Sequence, residues 1–182
     1  MVQGLILTGR PGVGKTTIIV ETVKLLKDWG VSVGGFVSRE VRDKGERIGF
    51  EVVDLISGRK GWLARIGIGK GPRISRYTVC LEDFEEVGVS ALRDALDRRD
   101  VDLAVVDEIG PMEMCSDGFK SLIKTLFSGV KPYIVTLHRS LVGIPLLQGN
   151  VEVIEVTFEN RSHMLDEIAE KAYRLAKGSG AG

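Results

Sequence analysis

The sequence contains the stretch GRPGVGKT, residues Gly9 to Thr16, between an apolar segment and an amphipathic one, and this stretch leaves few folds open to the chain. It matches the G-x-x-x-x-G-K-[ST] pattern of a P-loop, whose glycines let the backbone curl around a phosphate. The apolar segment 3–8 predicts a buried strand, and residues 14–29 have the apolar spacing of a helix that ends at Gly30. A strand, a phosphate loop and a helix in this order predict an α/β protein that binds a nucleotide.

Each part of this loop has a chemical task. Backbone N–H groups of the loop and the positive end of the following helix face the anion. Lys15 can reach the β- and γ-phosphates and take part in the reaction, the Thr16 hydroxyl can bind Mg²⁺, and Thr17 can reach the α-phosphate. We therefore predict a nucleotide-binding segment made of Gly9, Arg10, Pro11, Gly12, Val13, Gly14, Lys15, Thr16 and Thr17.

Apolar segments alternate with helical ones along the rest of the chain. The predicted core strands are 3–8, 32–39, 102–107, 132–137 and 151–156, and the predicted helices are 14–29, 83–98, 117–127 and 161–176. This alternation is typical of a mostly parallel sheet with helices on both faces, a three-layer α/β fold.

Residues 40–81 do not follow the alternation. A turn at Asp43-Lys44-Gly45 and a strand at 49–55 predict an antiparallel hairpin that extends the sheet or lies beside it. Residues 56–76 are rich in glycine and basic residues, and we expect irregular structure with room for one short strand. A further strand is expected at 77–81.

Length and charge limit the classes of function. A chain of 182 residues fits one domain, which we place at 1–177 with a flexible tail at 178–182. The 25 basic and 25 acidic side chains cancel, which makes a nucleic acid an unlikely main partner because that binding needs a positive excess. We expect a monomer.

The distribution of apolar residues and cysteines suggests where the protein works. No apolar run approaches the 18 residues of a membrane span, and the first apolar run is too short for a signal peptide. Two cysteines, Cys80 and Cys115, form no disulfide framework. We therefore expect a cytoplasmic protein, and scarce Asn and Gln lean towards a thermophile.

A second motif, LAVVDEIGPMEM at residues 103–114, supplies acidic groups. A nucleotide bound in a P-loop brings Mg²⁺ with it. The protein carboxylate that binds this ion usually lies at the carboxyl end of a neighbouring apolar strand, and we therefore predict that Asp107 binds the metal. Glu108 follows directly and would point to another side, where it could deprotonate a water beside the γ-phosphate. Glu113 could face the same pocket or solvent, and of these we expect solvent.

Two further loops follow predicted strands at their carboxyl ends, where ligands of such sheets bind. His138 and Arg139 could sense the γ-phosphate or be ordinary loop residues. In the stretch FENR, Asn160 and Arg161 could touch the base or ribose and Phe158 could stack on the base. The alternative for this stretch is a plain helix start capped by Asn160.

The basic segment 58–76 leaves three alternatives open. It could be a lid whose charges close over the phosphates, a loop that contacts RNA with Trp62, or a solvated loop. The charges available to a lid are Arg59, Lys60, Arg65, Lys70, Arg73 and Arg76.

Four stretches together resemble a known family. LTGRPGVGKTT, GGFVSREVRDKGERIGFEVVDL, VVDEIGPMEM and FENR occur in the order seen in the small P-loop nucleoside-triphosphatases of thermophiles, whose vertebrate member is called cancer-related nucleoside-triphosphatase. The resemblance covers residues 3–175 and implies a RecA-like variant of the P-loop fold. It also implies slow, Mg²⁺-dependent hydrolysis of several nucleoside triphosphates, with Asp107 serving the metal and Glu108 as the base.

Two other functions remain as alternatives at this point. A nucleotide or nucleoside kinase would use the basic segment to exclude water and would pass the γ-phosphate to a small acceptor. A nucleotide-driven binding module would use hydrolysis only to reset its grip on a partner. Glu108 beside Asp107 favours an activated water, and therefore hydrolysis.

Overall fold

The computed structural model describes residues 2–67, 69–143 and 150–178, and these form one mixed sheet flanked by helices. The strands are β1 (Gly4–Thr8), β2 (Val33–Asp43), β3 (Glu46–Asp54), β4 (Lys60–Ile66), β5 (Arg73–Ile74), β6 (Tyr77–Val79), β7 (Leu103–Ile109), β8 (Tyr133–Leu137) and β9 (Val151–Glu155). The helices are α1 (Lys15–Asp28), α2 (Leu81–Phe84), α3 (Ser90–Asp97), α4 (Asp117–Phe127) and α5 (Arg161–Lys177).

The sheet has two parts with different strand directions. In the order β5-β6-β4-β3-β2-β7-β8-β1-β9, the strands from β2 to β9 pair in parallel, and those from β5 to β2 pair in antiparallel fashion. The five predicted core strands are the parallel ones, and the predicted hairpin extends the sheet. Strand β8 lies between β1, which carries the phosphate loop, and β7, which carries the two acids.

Side-chain alternation along the strands divides the core between the two faces of the sheet. Leu5 and Leu7 of β1 pack in the cluster beneath α1 and α5, whereas Ile6 packs in the cluster beneath α3 and α4. This is the period-2 pattern of a strand buried on both faces. The three-layer α/β fold expected from the sequence is therefore confirmed.

Residues 56–76, expected to be irregular with room for one short strand, contain two strands, β4 and β5. Residues Lys60–Ile66 form β4, which pairs with β3 and β6, and Leu63 and Ala64 of that strand are buried. The glycines and charged residues of β4 obscure the alternating pattern by which a strand is recognised in a sequence. Few of its residues need to be apolar, because the strand lies near the edge of the sheet.

The helix predicted at 83–98 is not continuous. The helical segment begins at Leu81, and a π-helical turn, Glu85–Val89, separates α2 from α3. A side chain at Gly88 would collide with the ring of Phe84, 2.5 Å away, so glycine is required where the helix widens. The spacing of apolar residues over the whole segment still fits a helix, so it does not reveal a single π-helical turn.

Two features concern the ends and the surface of the molecule. The flexible tail predicted at 178–182 lies, apart from Gly178, outside the described residues. In the part of the chain that the structure describes, no helix combines the length and apolar character needed to cross a bilayer.

Candidate functional site

The phosphate loop connects β1 to α1 in a conformation that its glycines allow. Gly9, Gly12 and Gly14 have φ values of 143°, 77° and 109°, and Gly14 is the N-terminal cap of α1. At Gly9 a Cβ atom would lie 2.4 Å from the carbonyl oxygen of Val156, so the approach of β9 also requires glycine there. The Lys15 ammonium donates to the carbonyl oxygens of Gly9 and Arg10 at 3.0 and 3.2 Å, which holds it over the loop.

Asp107 joins this loop to β7 across the intervening strand β8. Its Oδ1 accepts hydrogen bonds from the hydroxyls of Thr136 (2.7 Å) and Thr16 (3.2 Å), and its Oδ2 lies 3.4 Å from both the amide nitrogen and the hydroxyl of Ser38. The side chain is 1% exposed. Burial raises the pKa of this carboxyl, and the hydrogen bonds from Thr136, Thr16 and Ser38 act against that rise.

Glu108, the next residue, is in a different environment. It is half-buried, and burial raises the pKa of its carboxyl to about 7, opposed by the charge of Lys15 and reinforced by that of Asp107. A carboxyl whose pKa lies near neutrality can take up a proton at physiological pH, as a general base must. The site thus holds two adjacent acids in different surroundings, as the sequence predicts.

Glu113 was expected to face solvent, and this is wrong. The side chain is 4% exposed, at the start of a 3₁₀ turn, Glu113–Cys115, that follows the Gly110-Pro111 turn. Burial raises the pKa of its carboxyl to about 8, and repulsion from Glu108 and Asp107 adds to the shift. From the sequence alone, a glutamate that follows a turn is expected to be exposed to solvent, because no sequence pattern shows that the turn folds back onto the site.

His138 directly follows β8, beside this acidic group. Its ring Nδ1 accepts from the amide of Ser140 at 3.2 Å, which leaves the ring proton on Nε2. Burial, with the charges of Lys15 and Arg139, lowers the pKa of the imidazole, so the ring is neutral near pH 7. His138 therefore lies near Lys15 as a neutral donor, and sensing of the γ-phosphate by His138 or Arg139 stays a prediction.

The FENR stretch lies against the phosphate loop, but its residues differ in what they contact. Arg161 donates to the carbonyl oxygen of Val13 at 3.3 Å, and its guanidinium lies 5.2 Å from the centre of the Phe158 ring, which is 56% exposed. The Asn160 amide instead accepts from the backbone N–H of Thr157 at 2.8 Å and donates to the carbonyl of Glu155 at 2.9 Å. The side chain of Asn160 makes no capping bond to α5, although the residue stands at its N-cap.

Two residues of the site were missed from the sequence. Thr136 of β8 and Ser38 of β2 both contact Asp107. Thr136 lies near the end of an apolar strand, and Ser38 directly follows the apolar stretch 33–37 of β2; a hydroxyl residue in such a place is the signal that could have identified them.

The basic segment 58–76 lies away from the phosphate loop. Strand β4 is separated from β1 by β3, β2, β7 and β8, which at about 4.8 Å per strand is a distance of roughly 24 Å. Its charges also have local partners: Arg65 stacks on Trp62 at 4.8 Å, and Arg76 donates to the carbonyl of Arg47 at 2.9 Å. These contacts support a structural role for the segment.

The site combines a phosphate loop after β1, a buried aspartate on β7, two strands away in the sheet, and a glutamate next to that aspartate. This combination defines a P-loop nucleoside-triphosphatase of the class with an inserted strand. Residues 4–169 match the family model described as NTPase. The nucleoside-triphosphatase THEP1 of Thermofilum pendens is 43% identical over 179 residues, which cover 95% of this chain and 97% of that protein.

Solved structures agree with this comparison. The solution structure of a human cancer-related nucleoside triphosphatase is 36% identical with a TM-score of 0.79 and full coverage of both chains. The crystal structure of THEP1 from the hyperthermophile Aquifex aeolicus is 29% identical with a TM-score of 0.77, covering 94% of this chain and 99% of that one. The chain belongs to the THEP1 nucleoside-triphosphatase family.

Proposed function

We propose that this protein hydrolyses nucleoside triphosphates to the diphosphate and inorganic phosphate, slowly, with Mg²⁺ and with broad tolerance for the base. The observation that carries the proposal is the hydrogen bond from Thr16 of the phosphate loop to Asp107, with Glu108 as the next residue. This arrangement brings together groups suited to a metal, a phosphate chain and a water. The names of the relatives support hydrolysis as the reaction.

The chain's own residues account for the steps of such a reaction. Backbone N–H groups of Gly9–Thr16 and the Lys15 ammonium bind the phosphates and stabilise the charge that develops on them. Glu108 takes a proton from the attacking water as the oxygen–phosphorus bond forms. The bond from the γ-phosphorus to the bridging oxygen breaks, and that oxygen keeps its electron pair on the diphosphate.

The residues around Thr16 fit a magnesium ion. Asp107 and Thr16 offer a carboxylate oxygen and a hydroxyl oxygen 3.2 Å apart, and both are the hard oxygen ligands that Mg²⁺ prefers. Mg²⁺ commonly uses one or two protein carboxylates together with substrate phosphates, so this small donor set is sufficient. When bound, the ion supplies positive charge to the phosphate oxygens.

For the base we propose a stacking platform made of Phe158 and Arg161. The exposed ring of Phe158, backed by the Arg161 guanidinium, offers an apolar surface next to the phosphate loop. The Asn160 side chain, which we expected to contact base or ribose, is already bonded to Thr157 and Glu155 and holds the turn. Stacking without amide contacts suits every base, which supports broad tolerance.

The kinase alternative is weaker. It needs the basic segment to form a lid, and that segment lies roughly 24 Å from the phosphate loop along the sheet. The relatives named above are triphosphatases. Single-domain organisation over residues 1–177, a monomeric state and a cytoplasmic location stay predictions.

The direct test is phosphate release from ATP, GTP, CTP and UTP with Mg²⁺ and no other addition. We expect each to be converted to its diphosphate with one free phosphate per turnover, and EDTA to stop the reaction. Tight nucleotide binding without phosphate release would contradict the proposal and favour a kinase or a binding module.

A further inference from the structure

A buried hydroxyl group of strand β8 contacts the carboxylate that we assign to the metal. The Thr136 hydroxyl donates to Oδ1 of Asp107 at 2.7 Å, and the two residues are 0% and 1% exposed. This bond is shorter than the one from Thr16, at 3.2 Å, and than the contacts of Ser38, at 3.4 Å. Thr136 therefore holds Asp107 more closely than the threonine of the phosphate loop does.

Thr136 occupies a place where packing alone favours an apolar residue. It is in register with Leu7 of β1, and both Leu7 and Ile134 pack in the cluster beneath α1 and α5. Because side chains alternate along a strand, Thr136 faces the same cluster as Ile134. A valine there would have nearly the same shape, so what the hydroxyl adds is the bond to Asp107.

This bond limits how the Asp107 carboxylate can turn. Its Oδ1 receives one hydroxyl from the phosphate loop and one from β8, and its Oδ2 lies beside Ser38 of β2. A carboxylate turned out of this orientation would no longer present an oxygen next to the Thr16 hydroxyl, with which it is to serve the same ion. Groups that orient metal ligands in this way typically change metal affinity by about 10- to 100-fold.

We propose that Thr136 is a positioning residue for Mg²⁺, which holds the Asp107 carboxylate in the orientation that serves the ion beside Thr16. The proposal rests on the metal site of the proposed function, because that function assigns Mg²⁺ to Asp107 and Thr16. In this role Thr136 acts through Asp107 and contacts neither the ion nor the nucleotide.

The test compares a substitution that removes the hydroxyl, Thr136→Val, with one that keeps it, Thr136→Ser. Mn²⁺, which substitutes for Mg²⁺ and whose free form is detected by electron paramagnetic resonance, is titrated into each protein saturated with a non-hydrolysable ATP analogue. We expect the Val variant to raise the Kd for Mn²⁺ at least about 10-fold and the Ser variant to stay within about 3-fold of wild type. The Kd for the analogue in EDTA should change less than about 3-fold in both, because the phosphate loop is left intact.

The same loss should appear in turnover as a demand for more Mg²⁺. The Mg²⁺ concentration at half-maximal rate should rise by about the same factor as the Kd for Mn²⁺. Because mass action offsets a weaker metal site, kcat of Thr136→Val at saturating Mg²⁺ should return to within about 3-fold of wild type. A residue that only supported the packing would give no such dependence on Mg²⁺.

A matched control is Thr22→Val. Thr22 of α1 is also 0% exposed, and its hydroxyl has no hydrogen-bond partner among the residues that the structure describes. The same chemical change at this threonine should leave both the Kd for Mn²⁺ and kcat unchanged. Should Thr136→Val fail to fold, Thr136→Ala removes the same hydroxyl, takes its place and carries the same expectations.

Three results would overturn the proposal. A wild-type Kd for Mn²⁺ in the folded Val variant, or in the Ala variant that replaces it, would show that the bond does not orient the metal ligand. An equal loss in Ser and Val would show that the hydroxyl is not the group that matters. A loss of analogue affinity in EDTA as large as the loss of Mn²⁺ affinity would show that Thr136 supports nucleotide binding instead.

Failure of the proposed function would look different. A wild-type protein that binds the analogue and Mn²⁺ but releases no phosphate from nucleoside triphosphates would overturn hydrolysis alone. The Mn²⁺ titration needs no turnover, so it would still decide whether Thr136 positions Asp107.

Discussion

At the scale of single residues, the site depends on how differently its three acids are surrounded. Asp107 is buried but accepts bonds from Thr16, Thr136 and Ser38, which suits a carboxylate that serves a cation. Glu113 is equally buried, yet its charged neighbours are other acids. Burial raises the pKa of both carboxyls, but hydrogen bonds from three hydroxyl residues oppose the rise at Asp107, whereas neighbouring acids add to it at Glu113.

The buried acid should make stability depend on pH. The folded-state pKa of Glu113, about 8, lies above its ordinary value of 4.5, so the folded protein binds more protons than the unfolded chain between these values. Its contribution is fully present below pH 4.5 and is lost as pH rises through 8. Relative to wild type, Glu113→Gln should therefore gain roughly 5 kcal/mol in free energy of unfolding across the full titration, at about 1.4 kcal/mol for each unit between the two pKa values.

Urea denaturation of both proteins at several pH values, with EDTA present, measures this difference. The comparison with wild type cancels the titration of groups that both proteins share, such as His138. A difference that stays constant between pH 5 and 8.5 would mean that Glu113 is ionised in the folded protein and faces water.

The exposed ring of Phe158 carries the prediction for base binding. Phe158→Ala should raise KM for ATP, GTP, CTP and UTP by roughly 5- to 150-fold, since stacking contributes about 1–3 kcal/mol per base. KM for tripolyphosphate, which has no base, should stay the same. Val153→Ala is the matched control, because Val153 is similarly exposed, at 54%, on β9. An equal rise for tripolyphosphate would mean that Phe158 supports the phosphate loop instead.

Sequence reasoning identifies the residues of this site that belong to a local pattern. Gly9–Thr16 form a motif, and Asp107 and Glu108 follow an apolar strand, so their places could be predicted. Ser38 and Thr136 reach Asp107 only through strand pairing, and Glu113 only through the fold of a turn. These contacts depend on tertiary structure, which a single sequence does not encode in any short pattern.

At the scale of elements, β2 connects the parallel part of the sheet to the antiparallel part. Its first residues pair with β7 and its later ones with β3 alone, so Ser38 reaches Asp107 from the neighbouring strand. Gly35 allows this close pairing. A Cβ atom there would lie 2.0 Å from the carbonyl oxygen of Val105, and its φ is +99°.

Gly35→Ala should therefore destabilise the protein by several kcal/mol, because both the strand spacing and the backbone conformation resist the methyl group. Gly45→Ala is the matched control: its φ is +85°, but a Cβ atom there has nothing within 4 Å. The control should cost only about 1 kcal/mol. Thermal unfolding of the two variants checks this, and equal losses would show that the approach to Val105 does not matter.

The elements differ in how well the sequence predicts them. Helix α4 was predicted at its observed bounds, because Ser116 caps it and its apolar residues have helical spacing. The short strand allowed for in residues 56–76 could not be located at β4 from the sequence, because its neighbours in the sheet, and not its own composition, stabilise it. The π-helical turn before α3 was missed because it changes the helical spacing by a single residue.

At the scale of the whole molecule, the order of the strands separates the basic segment from the phosphates. Neutralising Arg65, Arg73 and Arg76 together, each to Gln, should leave kcat/KM within about 2-fold of wild type. The melting temperature should fall slightly, because Arg65 and Arg76 lose their stacking on Trp62 and Tyr77. If kcat/KM instead fell by about 10-fold or more, the hypothesis of a lid would be restored.

The strand order brings Asp107 and Glu108 of β7 to the same edge of the sheet at which β1 leads into the phosphate loop. These two adjacent acids should therefore divide the metal and the water between them. The most direct measurement is phosphate release and nucleotide binding by Glu108→Gln beside wild type, with the surface variant Glu21→Gln as control.

We predict that Glu108→Gln binds nucleotide and Mg²⁺ as tightly as wild type and releases phosphate at least about 100-fold more slowly, as expected when a general base is lost. Glu21→Gln should match wild type in both respects. A Glu108→Gln variant that hydrolyses at the wild-type rate, or that loses nucleotide binding to the same degree as turnover, would contradict this division of roles.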